Sequence, residues 1–331
     1  MFVIDSTGMA ILFCVITMLG WGSWANTQKM SGKDNWPFQL YYWDYAIGVF
    51  VLALILLLTL GSAGDRGMSA MDNLAQASGT AIGTAVLSGV LFNIANILLV
   101  VAIDAAGLSV AFPVGIGLAL VIGTVASYIQ EPKGDPGLLF SGVGLVVLAM
   151  ILSALAYRLL PRSEGKGWAR GVVFAVIAGC LMGFFYPQLA SSISPDFRSA
   201  PIQPGMLTPY TALLFFSLGL LASNFVVNTI FMRAAGRTYS EYFRGSLRLH
   251  SLGVLGGAIW MLALGFNLIA SGVAGPAISY ALGQGATLIA AIWGVLIWRE
   301  FRNAPQAATT FIVLMFAGYT AGLTLIGMAT L

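Results

Sequence analysis

Asp44 and His250 are the residues best suited to proton chemistry. Asp44 stands in the run Tyr41-Tyr42-Trp43-Asp44-Tyr45, about one turn inside an apolar stretch. An ionisable group in an apolar stretch is costly and is a functional candidate by default. His250 is the chain's single histidine, and imidazole takes up and releases a proton near neutral pH. Each also has a plainer reading. Asp44 could mark a solvated helix end within an aromatic belt, and His250 could be an interfacial residue beside Arg248. Lys29 offers itself as an ion-pair partner for Asp44 across the first hairpin.

Neutral polar residues recur at helical spacing. Asn93 and Asn96 are three apart, Asn224 and Asn228 four apart, and Tyr280 and Gln284 four apart. Residues at these spacings share a helix face. Amides both donate and accept hydrogen bonds, so these pairs suit a neutral, polar, hydrogen-bonding solute. The competing reading is that they glue helices together. Trp21, Trp24, Tyr186 and Trp260 could stack on a planar or sugar ring. Enzyme signatures are absent: there is no His-Glu-x-x-His, and the Gly-x-Gly patterns at 115 and 283 lie within apolar stretches, not at phosphate-binding turns. Cys14 and Cys180 sit in apolar runs and support neither a disulfide framework nor a zinc site. No cofactor is implied.

The elements that must position these residues follow from composition. Of the 331 residues 59% are hydrophobic and 8% charged, against about 25% charged in a soluble domain. So few charges cannot cover a water-facing surface, so lipid is the expected partner of most of it. The 40 glycines suit close helix packing in a bilayer. A net charge of +3 is too small to point to nucleic acid. Ten windows can cross the hydrocarbon core as helices: 5–27, 40–61, 79–103, 108–129, 137–158, 170–193, 209–232, 249–270, 276–298 and 306–329. They are continuous runs, unlike the alternating strands of a barrel. No Lys or Arg precedes the first window, so it is expected to be retained as a helix, not cleaved as a leader.

If the windows alternate in direction, twelve of the fifteen Lys and Arg fall on one side: Lys29, Lys33, Arg158, Arg162, Lys166, Arg170, Arg233, Arg237, Arg244, Arg248, Arg299 and Arg302. Arg66, Lys133 and Arg198 fall on the other. The positive-inside rule then places the first group in the cytoplasm and both termini outside. The expected location is the inner (plasma) membrane, multi-pass.

Five windows precede the basic loop and five follow it. The chain therefore divides into 1–158, a cytoplasmic linker 159–169, and 170–331, and an odd count per half turns the halves into an inverted five-plus-five repeat. Short echoes agree with this order, among them Gly22-Ser23-Trp24-Ala25 with Phe184-Phe185-Tyr186-Pro187, and Gly115-Ile116-Gly117 with Gly283-Gln284-Gly285. The fold class read this way is all-α integral membrane. Pro113 and Pro276 fit helix starts, whereas Pro187 lies deeper and could free backbone groups for a ligand.

Several segments carry a family likeness. The opening Met1-Phe2-Val3-Ile4-Asp5-Ser6, Gly20-Trp21-Gly22-Ser23-Trp24, Tyr42-Trp43-Asp44-Tyr45, Ala95-Asn96-Ile97, Gly107-Leu108-Ser109-Val110, Ala290-Ala291-Ile292-Trp293-Gly294-Val295 and Arg299-Glu300-Phe301-Arg302 resemble the plant ureide permeases. His250 and Gly256-Gly257-Ala258-Ile259-Trp260 are similar to bacterial rhamnose–proton symporters. Both groups belong to the drug/metabolite transporter superfamily. The likeness implies a proton-coupled secondary permease that imports a small neutral polar solute of the ureide or nucleobase class by alternating access, with a monosaccharide–proton symporter as the alternative. Export of amphipathic compounds is a further reading within the superfamily. The implied partners are a small-molecule substrate and the bilayer, with no nucleic acid, and a homodimer remains open. The chain departs from the plant pattern in its short central loop, in Ala25 where those permeases have proline, and over 265–287.

Overall fold

A computed structural model describes residues 1–160 and 167–331. Arg162, Lys166 and most of the expected linker lie outside the described residues. Within them the chain is helical, with one isolated bridge between Ile193 and Leu207. Ten stretches are long and apolar enough to cross a membrane.

Most spans match their windows to within a few residues. They are α3 (Phe38–Leu58), α5 (Gly79–Ala106), α6 (Leu108–Gln130), α7 (Pro136–Arg158), α8 (Trp168–Ala190), α9 (Pro209–Ala234), α11 (Leu247–Ala274) and α14 (Gln306–Met328). Two spans are not the unbroken helices expected. The first, Thr7–Gly32, consists of α1 (Thr7–Ser23) and α2 (Ala25–Gly32), which meet at Trp24. The break has a local cause. Asn26 Nδ2 donates to the Ser23 carbonyl at 2.9 Å and Thr27 Oγ1 to the Trp24 carbonyl at 2.7 Å. These side chains take acceptors from the regular ladder. The ninth span, Pro276–Ile297, divides into α12 (Pro276–Gly283) and α13 (Ala286–Ile292), which runs into a π-helical turn at Trp293–Ile297. Gly283 and Gly285 flank that break, and glycine is the weakest ordinary helix former. Two short helices lie between spans, α4 (Ala70–Gln76) and α10 (Tyr239–Phe243).

The chain forms two compact units, and each draws on both sequence halves. Unit 1 comprises 1–93 and 188–273, and unit 2 comprises 94–187 and 274–331.

In unit 1, α3 lies against α11 and α5 against α9 at backbone distance. A Cβ on Gly48 would fall on the Val254 backbone, and one on Gly257 would fall on that of Tyr45. Gly89 meets Phe216, and Gly219 meets Val86, in the same way. This close approach leaves Tyr41, Tyr42 and Tyr45 fully buried on α3. At the far end from Lys33, the Met1 ammonium donates to the Arg66 carbonyl at 2.7 Å, Asp5 pairs with Arg66 and Arg198, and Tyr210 donates to the Phe2 carbonyl at 2.8 Å. In unit 2, α7 and α14 meet at Gly142 and Gly322, and the Tyr280 ring passes over Gly123 of α6.

Gly257→Ala is expected to destabilise the protein by about 1–3 kcal/mol through overpacking. Gly83→Ala, where nothing lies within 4 Å of the added carbon, should be neutral or stabilise by up to about 1 kcal/mol. Thermal unfolding in detergent, followed by tryptophan fluorescence, measures both.

Candidate functional site

The two proton candidates touch. His250 Nδ1 lies 2.9 and 3.0 Å from the two carboxylate oxygens of Asp44. The Asp44 side chain is 4% exposed and that of His250 25%. Asp44 is the seventh residue of α3 and His250 the fourth of α11, so the close packing of these helices produces the contact. Gly253 faces Asp44, and a Cβ there would strike the Asp44 Cβ. Asp44 is thus a buried, paired carboxylate and not the solvated helix end that its position allowed. Its ion-pair partner is His250. Arg248, the neighbour expected to draw His250 toward headgroups, reaches Asp34 at 2.5 Å instead.

A third member was not visible from composition or spacing. Tyr242 donates its phenol to Asp44 Oδ1 at 2.7 Å. It sits on α10, which a reciprocal cap starts: the Glu241 amide donates to Thr238 Oγ1 at 3.2 Å, and the Thr238 amide to Glu241 Oε2 at 2.9 Å. Burial, and after it the hydrogen bond to Asp44, push the Tyr242 phenol above its usual range. It therefore stays a donor throughout the physiological range. Trp36 closes the cluster, its ring centre 5.5 Å from that of His250 and 6.3 Å from that of Tyr242. One signal was available: the Thr238-x-x-Glu241 capping pattern marks a helix start in a loop otherwise read only for its arginines.

The amides of unit 1 are buried and underused. Asn93 Nδ2 donates to Ser223 Oγ at 2.9 Å, while Asn93 Oδ1 has no partner among the described residues. Asn228 Nδ2 donates to the Gln39 carbonyl at 3.0 Å, and its Oδ1 has no partner among them either. Asn224, fully buried, has no partner at either amide atom among the described residues. The Tyr45 hydroxyl is buried and has no partner among the described residues. An unsatisfied buried polar group costs about 1–3 kcal/mol, and such groups are rare enough that each calls for an explanation.

The aromatics divide. Trp260 is surrounded by protein rings: Phe92 at 4.3 Å, Phe216 at 5.8 Å and Trp21 at 5.9 Å, the last two nearly parallel to it. The ring of Trp24 lies 5.0 Å from that of Tyr45. These belong to unit 1. Unit 2 holds the rest of the expected set. Tyr186 and Tyr280 are fully buried with ring centres 4.8 Å apart, and Tyr280 donates to the Ala119 carbonyl at 3.3 Å. Gln284 caps α12, and Asn96 is buried on α5. Asn93 and Asn96 share a helix face yet fall in different units, because the division runs between Asn93 and Ile94. Among the described residues, no group of three His, Cys, Asp or Glu could hold a metal ion.

Asn224→Leu should leave thermal stability unchanged or raise it, because it removes two unpaired polar atoms. The same variant should lose the stabilisation that added solute gives the wild type. A thermal-shift series across solute concentration reads both effects.

Comparison with known proteins adds the family. The family model for ureide permeases matches residues 41–160 and 161–330. The match breaks inside the segment read as the linker. Ureide permease 1 of Arabidopsis thaliana is 21% identical, over 95% of each chain. Ureide permease 4 of the same plant is 22% identical, over 98% of each. Probable ureide permease A3 of Vigna unguiculata is 23% identical, over 92% of this chain and 98% of its own. A solved crystal structure superposes with a TM-score of 0.59 at 16% identity, over 96% of each chain, and so shares the fold. With ten apolar helices and a family match along nearly its whole length, the chain belongs to the ureide permease family and is a multi-pass membrane transporter, not an enzyme.

Proposed function

We propose that the protein imports a small neutral polar solute of the ureide or nucleobase class by alternating access, and that the Asp44–His250 pair couples this movement to protons. The observation that carries the proposal is the buried carboxylate held between an imidazole and a phenol. A carboxylate and an imidazole in direct contact can hold a proton or pass it between them. With Asp44 charged, it binds α11 through His250 and α10 through Tyr242. A proton on Asp44 weakens both bonds at once. The charge of the pair thus sets how firmly the loop carrying α10 is held, which links proton occupancy to conformation.

The solute class rests on the relatives' names and on the amides. Asn93, Asn224 and Asn228 leave three acceptors and one donor unused, which suits a solute rich in N–H groups. An inverted five-plus-five repeat is compatible with units that each draw on both sequence halves, and the Lys and Arg distribution supports termini outside. A second reading, a monosaccharide–proton symporter, draws less support, because Trp260 is packed against Trp21, Phe92 and Phe216 and offers no free face to a sugar ring. Export of amphipathic compounds fits less well, because a site for them would not need buried amides.

Asp44→Asn keeps the shape and removes the titrating carboxylate. In proteoliposomes this variant should lose solute accumulation driven by a pH gradient by about tenfold or more, the equivalent of about 1.4 kcal/mol. Counterflow exchange of labelled for unlabelled solute should persist. Undiminished accumulation would rule out a coupling role for Asp44, and accumulation that follows a sodium gradient instead would change the ion.

A further inference from the structure

The motif Arg299-Glu300-Phe301-Arg302 plays no part in the transport reading. It follows the π-helical turn that ends the ninth span. The Glu300 amide donates to the Gly294 carbonyl at 3.0 Å, six residues back, and Arg299 has φ 54°. The turn ends the π-helical segment one residue wider than a Schellman motif, and like that motif it has a left-handed residue, a position that normally goes to glycine. Arginine there costs roughly 1 kcal/mol, so the side chain is kept at the expense of backbone comfort, and such outliers point to function.

Arg299 and Arg302 line a cavity of about 370 Å³ together with Thr309, Val295, Phe301 and Ile312. Neither arginine makes an ion pair among the described residues. The nearby carboxylate, Glu300, is taken by the Tyr157 phenol at 2.7 Å. Among the described residues the Thr309 hydroxyl has no partner, although Thr310, Thr320 and Thr324 on the same helix each donate to the carbonyl four residues back. The cavity therefore offers two guanidinium groups and a hydroxyl above an apolar floor. Beside it, Leu296 and Ile297 are 63% and 59% exposed, as expected of side chains that face lipid.

We propose that this cavity binds the phosphodiester headgroup of an anionic phospholipid. Guanidinium forks match phosphate oxygens in pairs, and Thr309 supplies a further donor. The shared chemistry would serve free phosphate equally. The apolar floor and the lipid-facing flank favour a ligand with a hydrocarbon end, and the basic side of a membrane protein faces the leaflet richest in anionic lipid.

The test uses the full-length protein in detergent, with lipid retention read by native mass spectrometry. The wild type should retain phosphatidylglycerol over phosphatidylcholine by about tenfold or more, the worth of one charge-assisted hydrogen bond. The variant R299Q/R302Q should lose that preference while keeping its elution profile and helical circular dichroism. The control R233Q/R244Q, which removes two exposed cations elsewhere, should keep it, and excess inorganic phosphate should not displace the lipid. Equal retention by R299Q/R302Q, or equal loss in the control, would overturn the site. Displacement by inorganic phosphate would overturn the lipid as its ligand.

Discussion

A carboxylate placed among apolar helices must be matched by donors or abandoned to its desolvation cost, and that constraint shapes unit 1. Removing one partner from a buried pair typically costs about 3–5 kcal/mol. Asp44 finds its donors on two elements 206 and 198 residues away in sequence. For His250 to reach it, α3 and α11 must approach at backbone distance, which is why Gly48, Gly253 and Gly257 stand along that seam. For Tyr242 to reach it, the loop after α9 must fold into α10, and the Thr238–Glu241 cap secures that turn. One polar contact therefore fixes a helix crossing and a loop conformation together.

The amides obey the opposite logic. Asn224 is buried with nothing to bond, and Asn93 and Asn228 each leave an oxygen unused. A chain selected for stability alone would carry Leu at such positions. Retaining polar atoms that weaken the empty state is intelligible if a solute completes them. The same trade appears at Arg299, where an unfavourable backbone conformation holds a charge over a cavity. In both places local rules are broken where a ligand is the simplest compensation.

The ten spans were legible because hydropathy and the Lys and Arg distribution act on long segments, where local errors average out. The breaks at Trp24 and at Gln284 were not. They depend on which side chain takes which carbonyl, as Asn26 and Thr27 do, and on flanking glycines whose effect is decided by context. Asp44 and His250 were recognisable singly, as rare ionisable groups in apolar surroundings. Their pairing was not, since nothing local in the sequence relates residues two hundred positions apart. Lys29 was the nearer partner by sequence, but helix packing selected His250. Tyr242 escaped notice because it lies in a loop, and Ser223 because a lone serine in a span carries no pattern. Helical spacing put Asn224 and Asn228 on one face of α9, and both are buried there. It had no means of separating Asn93 from Asn96, which share a face of α5 but belong to different units.

Proton coupling requires that solute and proton move together through the Asp44 pair. The most direct measurement is internal pH in proteoliposomes loaded with an indicator dye and prepared without any ion gradient. Adding a ureide or nucleobase outside should acidify the interior as the solute enters, and the Asp44→Asn protein should admit solute with no acidification. Solute entry into wild-type vesicles at constant internal pH would contradict the account, as would equal acidification by the two proteins.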